Sequence, residues 1–119
     1  MLPATQRVRA RREFAAIFAR GRAIPGSAVF LKYHPNRLGH PRFGIVVSNK
    51  VSKRAVARNL IKRRIREILR AAIRDTSLGT LGVDVIVITR PAVAALTFVQ
   101  LREVVQSLLS RITLPPPRS

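Results

Sequence analysis

The 119-residue chain has no cysteine, no tryptophan, one tyrosine and only five acidic residues. Without cysteine, neither a disulfide nor a thiolate metal site can form, which suits a reducing, cytoplasmic setting. No run approaches the roughly 18 apolar residues of a membrane-spanning helix. Met1–Arg12 holds four arginines and no apolar stretch of the kind a secretory segment needs. The acids are too scattered to converge on two metal ions about 4 Å apart. Glu13, Glu67 and Glu103 fall on separate expected helices and read as solvated partners of nearby arginines, while Asp75 and Asp84 flank a loop and read as turn residues. His34 and His40 could in principle act as acid and base, but beside one turn they read as surface polar groups. Ser48 and Ser52 have no evident base partner. The chain is therefore expected to carry no catalytic residues and no metal site of its own.

What the chain has instead is positive charge. Lys and Arg number 23, for a formal net charge of +18. A domain this small works against its own repulsion at that charge, so a polyanionic partner is implied. Nineteen of the 23 are Arg, four being Lys, and the planar guanidinium grips phosphate with two parallel hydrogen bonds. Hydrophobic residues make up 47% of the chain, which is too many for a disordered basic tail. The length suits one domain over 1–119, with flexible ends at 1–7 and 114–119 and a loose arm over the first ten residues.

Periodicity gives the elements. Phe14, Ile17 and Phe18 repeat at helical spacing in Arg11–Arg20, and Gly21 stops that helix. Ala28–His34 and Phe43–Val47 are rich in β-branched and aromatic residues and are separated by the turn-forming "PNRLGHPR". They are expected to pair antiparallel, with Arg22–Ile24 as a short edge strand. A long helix follows over Ala55–Arg74. "VDVIVITR" is a continuous apolar run of the kind found in a central strand. Thr97 and Gln100 form a capping box for a last helix striped by Leu101, Val104, Val105, Leu108, Leu109 and Ile112. The expected fold is an α+β sandwich of order αβββαβα, with helices packed on a small sheet of about four strands.

The segment "SNKVSKRAVARNLIKRRIREILRAAIR", Ser48–Arg74, holds ten bases and one acid. Ala57, Ile61, Ile65, Ile68, Leu69 and Ala72 fall on one side of its helix. Arg58, Lys62, Arg66, Arg70 and Arg74 fall on another, with Arg63 and Arg64 beside them. A membrane-surface helix would want Trp or Phe on its apolar face. A DNA-reading helix would want several edge-reading side chains, and only Asn59 qualifies. Phosphate contact is the reading that remains. Phe14 and Phe18, one turn apart, are either core residues or a platform for unpaired bases. Phe30 and Tyr33 are oddly spaced on one strand, so one of them must leave the core face.

"VVSNKVSKRAVARNLIKRRIREILR" resembles the signature region of the bacterial ribonuclease P protein subunit. "REFAAIFARG", "VFLKYH", "RFGIVVS" and "DVIVITRP" resemble that family's first helix and strands in order, over about Val8–Ile112. The resemblance implies a mixed sheet with a left-handed βαβ crossover. It implies a protein that binds a catalytic RNA subunit and the 5′ leader of precursor tRNA, while Mg²⁺ held mainly by the RNA and substrate does the chemistry. By position it implies RNA-subunit contacts from Lys50, Lys53, Arg54, Arg58, Asn59, Lys62, Arg63, Arg66 and Arg70, and a leader cleft holding Phe14, Phe18, Tyr33 and Arg90. Neither a membrane nor an obligatory protein partner is implied. Leu60 stands where the family pattern has a base, which removes one contact and leaves inward packing open to it. The alternative class is a structural, ribosomal-type RNA-binding protein without a role in cleavage.

Overall fold

The computed structural model describes residues 7–8 and 11–114. Its elements are α1 (Arg11–Arg20), β1 (Arg22–Ile24), β2 (Val29–Pro35), β3 (Arg42–Val46), α2 (Ala55–Asp75), β4 (Val83–Thr89) and α3 (Phe98–Leu109), with 3₁₀ turns at Ser77–Thr80 and Pro91–Ala95. This is the expected order. The capping box also forms: Gln100 N–H donates to Thr97 Oγ1 at 3.1 Å, and Thr97 N–H donates to Gln100 Oε1 at 2.9 Å.

The strands lie in the order β1-β2-β4-β3. β4 is antiparallel to β2 and parallel to β3, and α2 makes the crossover between the two parallel strands. The antiparallel pairing expected between β2 and β3 is thus corrected. β4 enters between them, because "VDVIVIT" is apolar on both faces and gains most where both are covered. Val83, Val85, Ile86 and Val87 are completely buried there.

Alternation along the strands divides two cores. Val29, Leu31 and Tyr33 of β2, Phe43 of β3, and Val83, Val85 and Val87 of β4 face α2 and α3. There they meet Ile65, Ile68, Leu69 and Ala72 of α2 and Leu101, Val105, Leu108 and Leu109 of α3. On the other face Ile86 packs with Ile17 and Val8, joined by Phe14, Val46 and Ile88. Gly44 is required by this second core: a Cβ there would lie 2.6 Å from Phe14 Cζ, so only glycine lets the ring settle on β3.

Two features hold α1 and the chain before it. Arg42 of β3 forks onto Asp84, with Nε at 2.8 Å from Oδ1 and Nη2 at 2.6 Å from Oδ2, and its Nη1 reaches Glu13 of α1 at 2.6 Å. Asn36 Nδ2 also donates to Asp84 Oδ1, at 2.8 Å. Asp84 is only 7% exposed, which corrects its reading as a turn residue: it is the second residue of a central strand, and its charge is tolerated because Arg42 neutralises it. The loose arm is corrected at Arg7 and Val8. Arg7 bridges to Phe43, Val8 N–H donates to the Phe43 carbonyl at 2.9 Å, and the Val8 side chain is buried. β3 is an edge strand, and its free carbonyl row gives the passing chain partners. Apart from Arg7 and Leu114, the ends expected to be flexible lie outside the described residues.

Candidate nucleic-acid interface

Helix α2 buries one face and leaves the rest to its cations. Ile65, Ile68, Leu69 and Ala72 are inside. Lys50, Lys53, Arg54, Asn59, Arg63 and Arg70 are exposed, while Arg58, Lys62 and Arg66 are half-buried along their stems. Long basic side chains lying this way keep their charged heads in water. Arg70 shares its charge with Glu67 at 3.2 Å, and Arg74 with Asp75 at 3.0 Å. The other bases of this set have no carboxylate partner among the ion pairs of the described residues.

The entry to the helix adds to this surface. Arg54 occupies the N-cap without a side-chain cap bond, and no acid stands in the first turn. The helix therefore begins with free amides and the positive end of its dipole amid Lys50, Lys53 and Arg54, an arrangement suited to phosphate. The connection is held in shape locally. Arg58 Nη1 donates to the Ser52 carbonyl at 2.9 Å, Arg54 N–H to Ser52 Oγ at 3.2 Å, and Val51 is buried beneath. Leu60 turns partly inward and lines a shallow depression with Ala57, Ile61, Val93 and Leu96.

The second surface lies on the opposite face of the sheet, beside α1. Phe14 is half-buried over Gly44, and Phe18 is 42% exposed. Phe30 presents its ring to Arg90, whose guanidinium carbon sits 4.4 Å from the ring centroid, a cation–π contact. Arg90 Nε donates to the Gly26 carbonyl at 3.1 Å, and Lys32 Nζ to the Phe18 carbonyl at 3.1 Å. These residues form an aromatic and cationic surface between the first helix and the sheet. Tyr33 is not on it. It is 4% exposed in the main core, on the face toward α2 and α3. Placing Tyr33 in the cleft is therefore corrected. Phe30 holds the aromatic position there, and Lys32 was missed beside it. Their signal was present in the sequence: a set containing Phe30, Lys32 and His34 carries a charge, so the alternate set Val29, Leu31 and Tyr33 is the one that can be buried.

The acids do not gather. Glu13 and Asp84 converge, but on the Arg42 guanidinium, and no group of three His, Cys, Asp or Glu side chains comes together among the described residues. His34 and His40 each turn Nδ1 to the carbonyl of the following proline, at 2.8 and 3.3 Å, not to each other. Among the described residues no helix is long and apolar enough to cross a membrane.

Comparison with known proteins agrees with this architecture. The family model for ribonuclease P matches residues 2–113. The ribonuclease P protein component of Microcystis aeruginosa is 36% identical over 113 residues, covering 91% of this chain and 92% of that protein. Its counterpart in Azotobacter vinelandii is 35% identical, covering 91% and 81%. Among solved structures, the RNase P protein from Thermotoga maritima, in complex with 1-(4-fluorophenyl)-2-thiourea, superposes with a TM-score of 0.80 at 34% identity, over 90% of this chain and all of that one. The Staphylococcus aureus RNase P protein superposes at 0.79 with 29% identity, over 88% and 93%.

Proposed function

The chain belongs to the ribonuclease P protein family, the protein components of a tRNA-processing endoribonuclease, and from that premise we propose that it assists a catalytic RNA in removing the 5′ leader of precursor tRNA. The observation that carries this reading is the run of bases along Lys50–Arg66 without carboxylate partners among the described residues, aligned on one helix and its uncapped start. A folded RNA offers the matching row of phosphates, and neutralising them releases counterions, which drives binding and makes it salt-dependent. In this reading Lys50, Lys53, Arg54, Arg58, Asn59, Lys62, Arg63, Arg66 and Arg70 meet the RNA subunit. Phe14, Phe18, Phe30, Lys32 and Arg90 hold the single-stranded leader, with bases stacked on the rings and phosphates near the cations. Mg²⁺, when bound by the RNA subunit and substrate, would supply charge stabilisation and activate the attacking water. The protein's part is to position the leader and screen phosphate repulsion, which lowers the Mg²⁺ the complex needs. The setting is the cytoplasm.

The test is reconstitution. Adding the chain to the cognate catalytic RNA at low Mg²⁺ is expected to restore cleavage at the leader junction. Salt-sensitive RNA binding with no rescue would instead support a structural, ribosomal-type role. Cutting of RNA by the purified chain alone would overturn both.

Phe18 separates leader contact from core packing. Because 42% of its surface is exposed, Phe18→Ala is expected to lower stability by only about 1 kcal/mol. Losing a stacking platform costs about 1–3 kcal/mol per base, so affinity for leader-bearing substrate should fall about 5- to 150-fold while affinity for the RNA subunit holds. A thermal melt and two binding titrations check this. A stability loss of about 3–5 kcal/mol would return Phe18 to the core.

A further inference from the structure

A third cluster of cations lies apart from both surfaces. Arg22 opens β1 and pairs in register with Tyr33 of β2, so the two side chains stand on the same sheet face. Arg20 ends α1 just before it. With His34, Thr113 and Leu114 they line a cavity of about 190 Å³ at the free edge of the sheet. No acidic residue borders it, and the ion pairs of the described residues use Arg42, Arg70 and Arg74 instead. Among the described residues, Arg20 and Arg22 therefore stand beside it without a carboxylate partner.

Tyr33 forms the floor. Its hydroxyl donates to the Thr113 carbonyl at 3.3 Å. Burial alone pushes that hydroxyl's pKa up, but its hydrogen bonds with Thr113 and the charge of Arg22 outweigh burial, and the net direction is down. With Arg20 and Arg22 in its lining and no acid there, the cavity favours negative charge. It is smaller than the roughly 300 Å³ at which pockets for whole ligands begin, which suits one anionic group. The two arginines in its lining can each fork onto an oxyanion, which favours a phosphate over a simple halide.

The cavity also continues a path. Phe30 and Lys32 lie on the α1 face of β2, Lys32 reaches the C-terminal end of α1 at Phe18, and Arg20 follows two residues later. Phe30 and Tyr33 are about 10 Å apart along the strand. Resting on the reading of the α1 face as the leader's path, the geometry points to a phosphate subsite on Arg20 and Arg22 that takes a backbone phosphate of the leader where the strand leaves the cleft and rounds the β1 edge.

Both arginines are exposed, so an Arg20→Gln/Arg22→Gln double variant keeps its fold. It is to be reconstituted with the catalytic RNA and titrated with precursor tRNAs whose leaders lengthen stepwise. Short-leader substrates are expected to bind the variant and the parent alike. Past a threshold length the parent gains affinity, while the variant falls about tenfold behind, with a salt slope lower by about two. RNA-subunit affinity stays equal. A deficit that is the same at every leader length, or no deficit at any length, overturns the subsite while leaving the cleft reading intact. A parent complex with no leader-length dependence overturns the cleft reading and the subsite together.

Discussion

Arg42→Met is expected to lower stability by about 3–5 kcal/mol, the usual cost of removing one member of a buried ion pair. The reason is the company Arg42 keeps. Asp84 lies in the central strand with a side chain only 10% exposed, and Glu13 comes from the helix across the sheet face. Without the guanidinium, Asp84 is a buried carboxylate left with the Asn36 amide at 2.8 Å, and Glu13 loses its tie to β3. For a chain of this size the expected fall in melting temperature is about 10–20 °C. Arg42→Lys keeps the charge but not the fork onto both Asp84 oxygens, and should fall between the two. A loss under about 1 kcal/mol for Arg42→Met would show that the network does not hold α1. Its pH behaviour also has a sign. Hydrogen bonding to Asp84 raises the Arg42 pKa first; burial opposes this, and Glu13 adds to it. A cation with a raised pKa contributes stability that is complete below its unfolded value and is lost only as pH climbs past the folded one. The Arg42 contribution is therefore constant through the neutral range. The variant should also bind leader-bearing substrate less well while retaining the RNA subunit, since Glu13 and Phe14 are neighbours on α1 and α2 lies on the other face.

Local pattern made some of this molecule legible, and the limits follow from physics. The helix over Arg11–Arg20, the start of α2 at Ala55 and the capping box at Thr97 rest on interactions within a few residues, and each stands as read. The central place of β4 was also legible in its own composition, since an apolar run broken only by Asp84 is typical of a central strand. Strand partners are a different matter. The turn-rich segment between β2 and β3 fits a hairpin, but it is also long enough to cross the roughly 10 Å that leaves room for one more strand. The winner was decided by β4, some forty residues away. Asp84 was misread for a related reason: a carboxylate near a turn looks solvated until a distant arginine is known to face it. Tyr33 was placed by analogy of position where its own strand's alternation argued otherwise. The cationic character of α2 and the connection before it needed no tertiary knowledge, because ten bases against one acid over Ser48–Arg74 leave few other uses for such a segment.

Replacing Arg58 and Lys62 together with alanine should weaken binding to the RNA subunit by about 100-fold near physiological salt and lower the salt slope by about two. Neither residue has a carboxylate partner among the described ion pairs, so their charge is free to displace counterions. Both side chains are half-buried at the stem and lie one turn apart. Arg58 has a further tie, to the Ser52 carbonyl at 2.9 Å, so its loss also loosens the connection that carries Lys50, Lys53 and Arg54. Arg70→Ala is the internal comparison. Arg70 already shares its charge with Glu67 at 3.2 Å, and an exposed pair of that kind is close to neutral toward a distant phosphate. Its removal should cost less affinity and move the slope by less than one. Binding titrations across a salt series measure both. Equal effects from Arg70→Ala and the Arg58/Lys62 pair would mean that total charge, not the uncompensated row on α2, drives association. An unchanged slope for the pair would remove α2 from the interface, and the proposed division of labour between the two faces of the sheet would go with it.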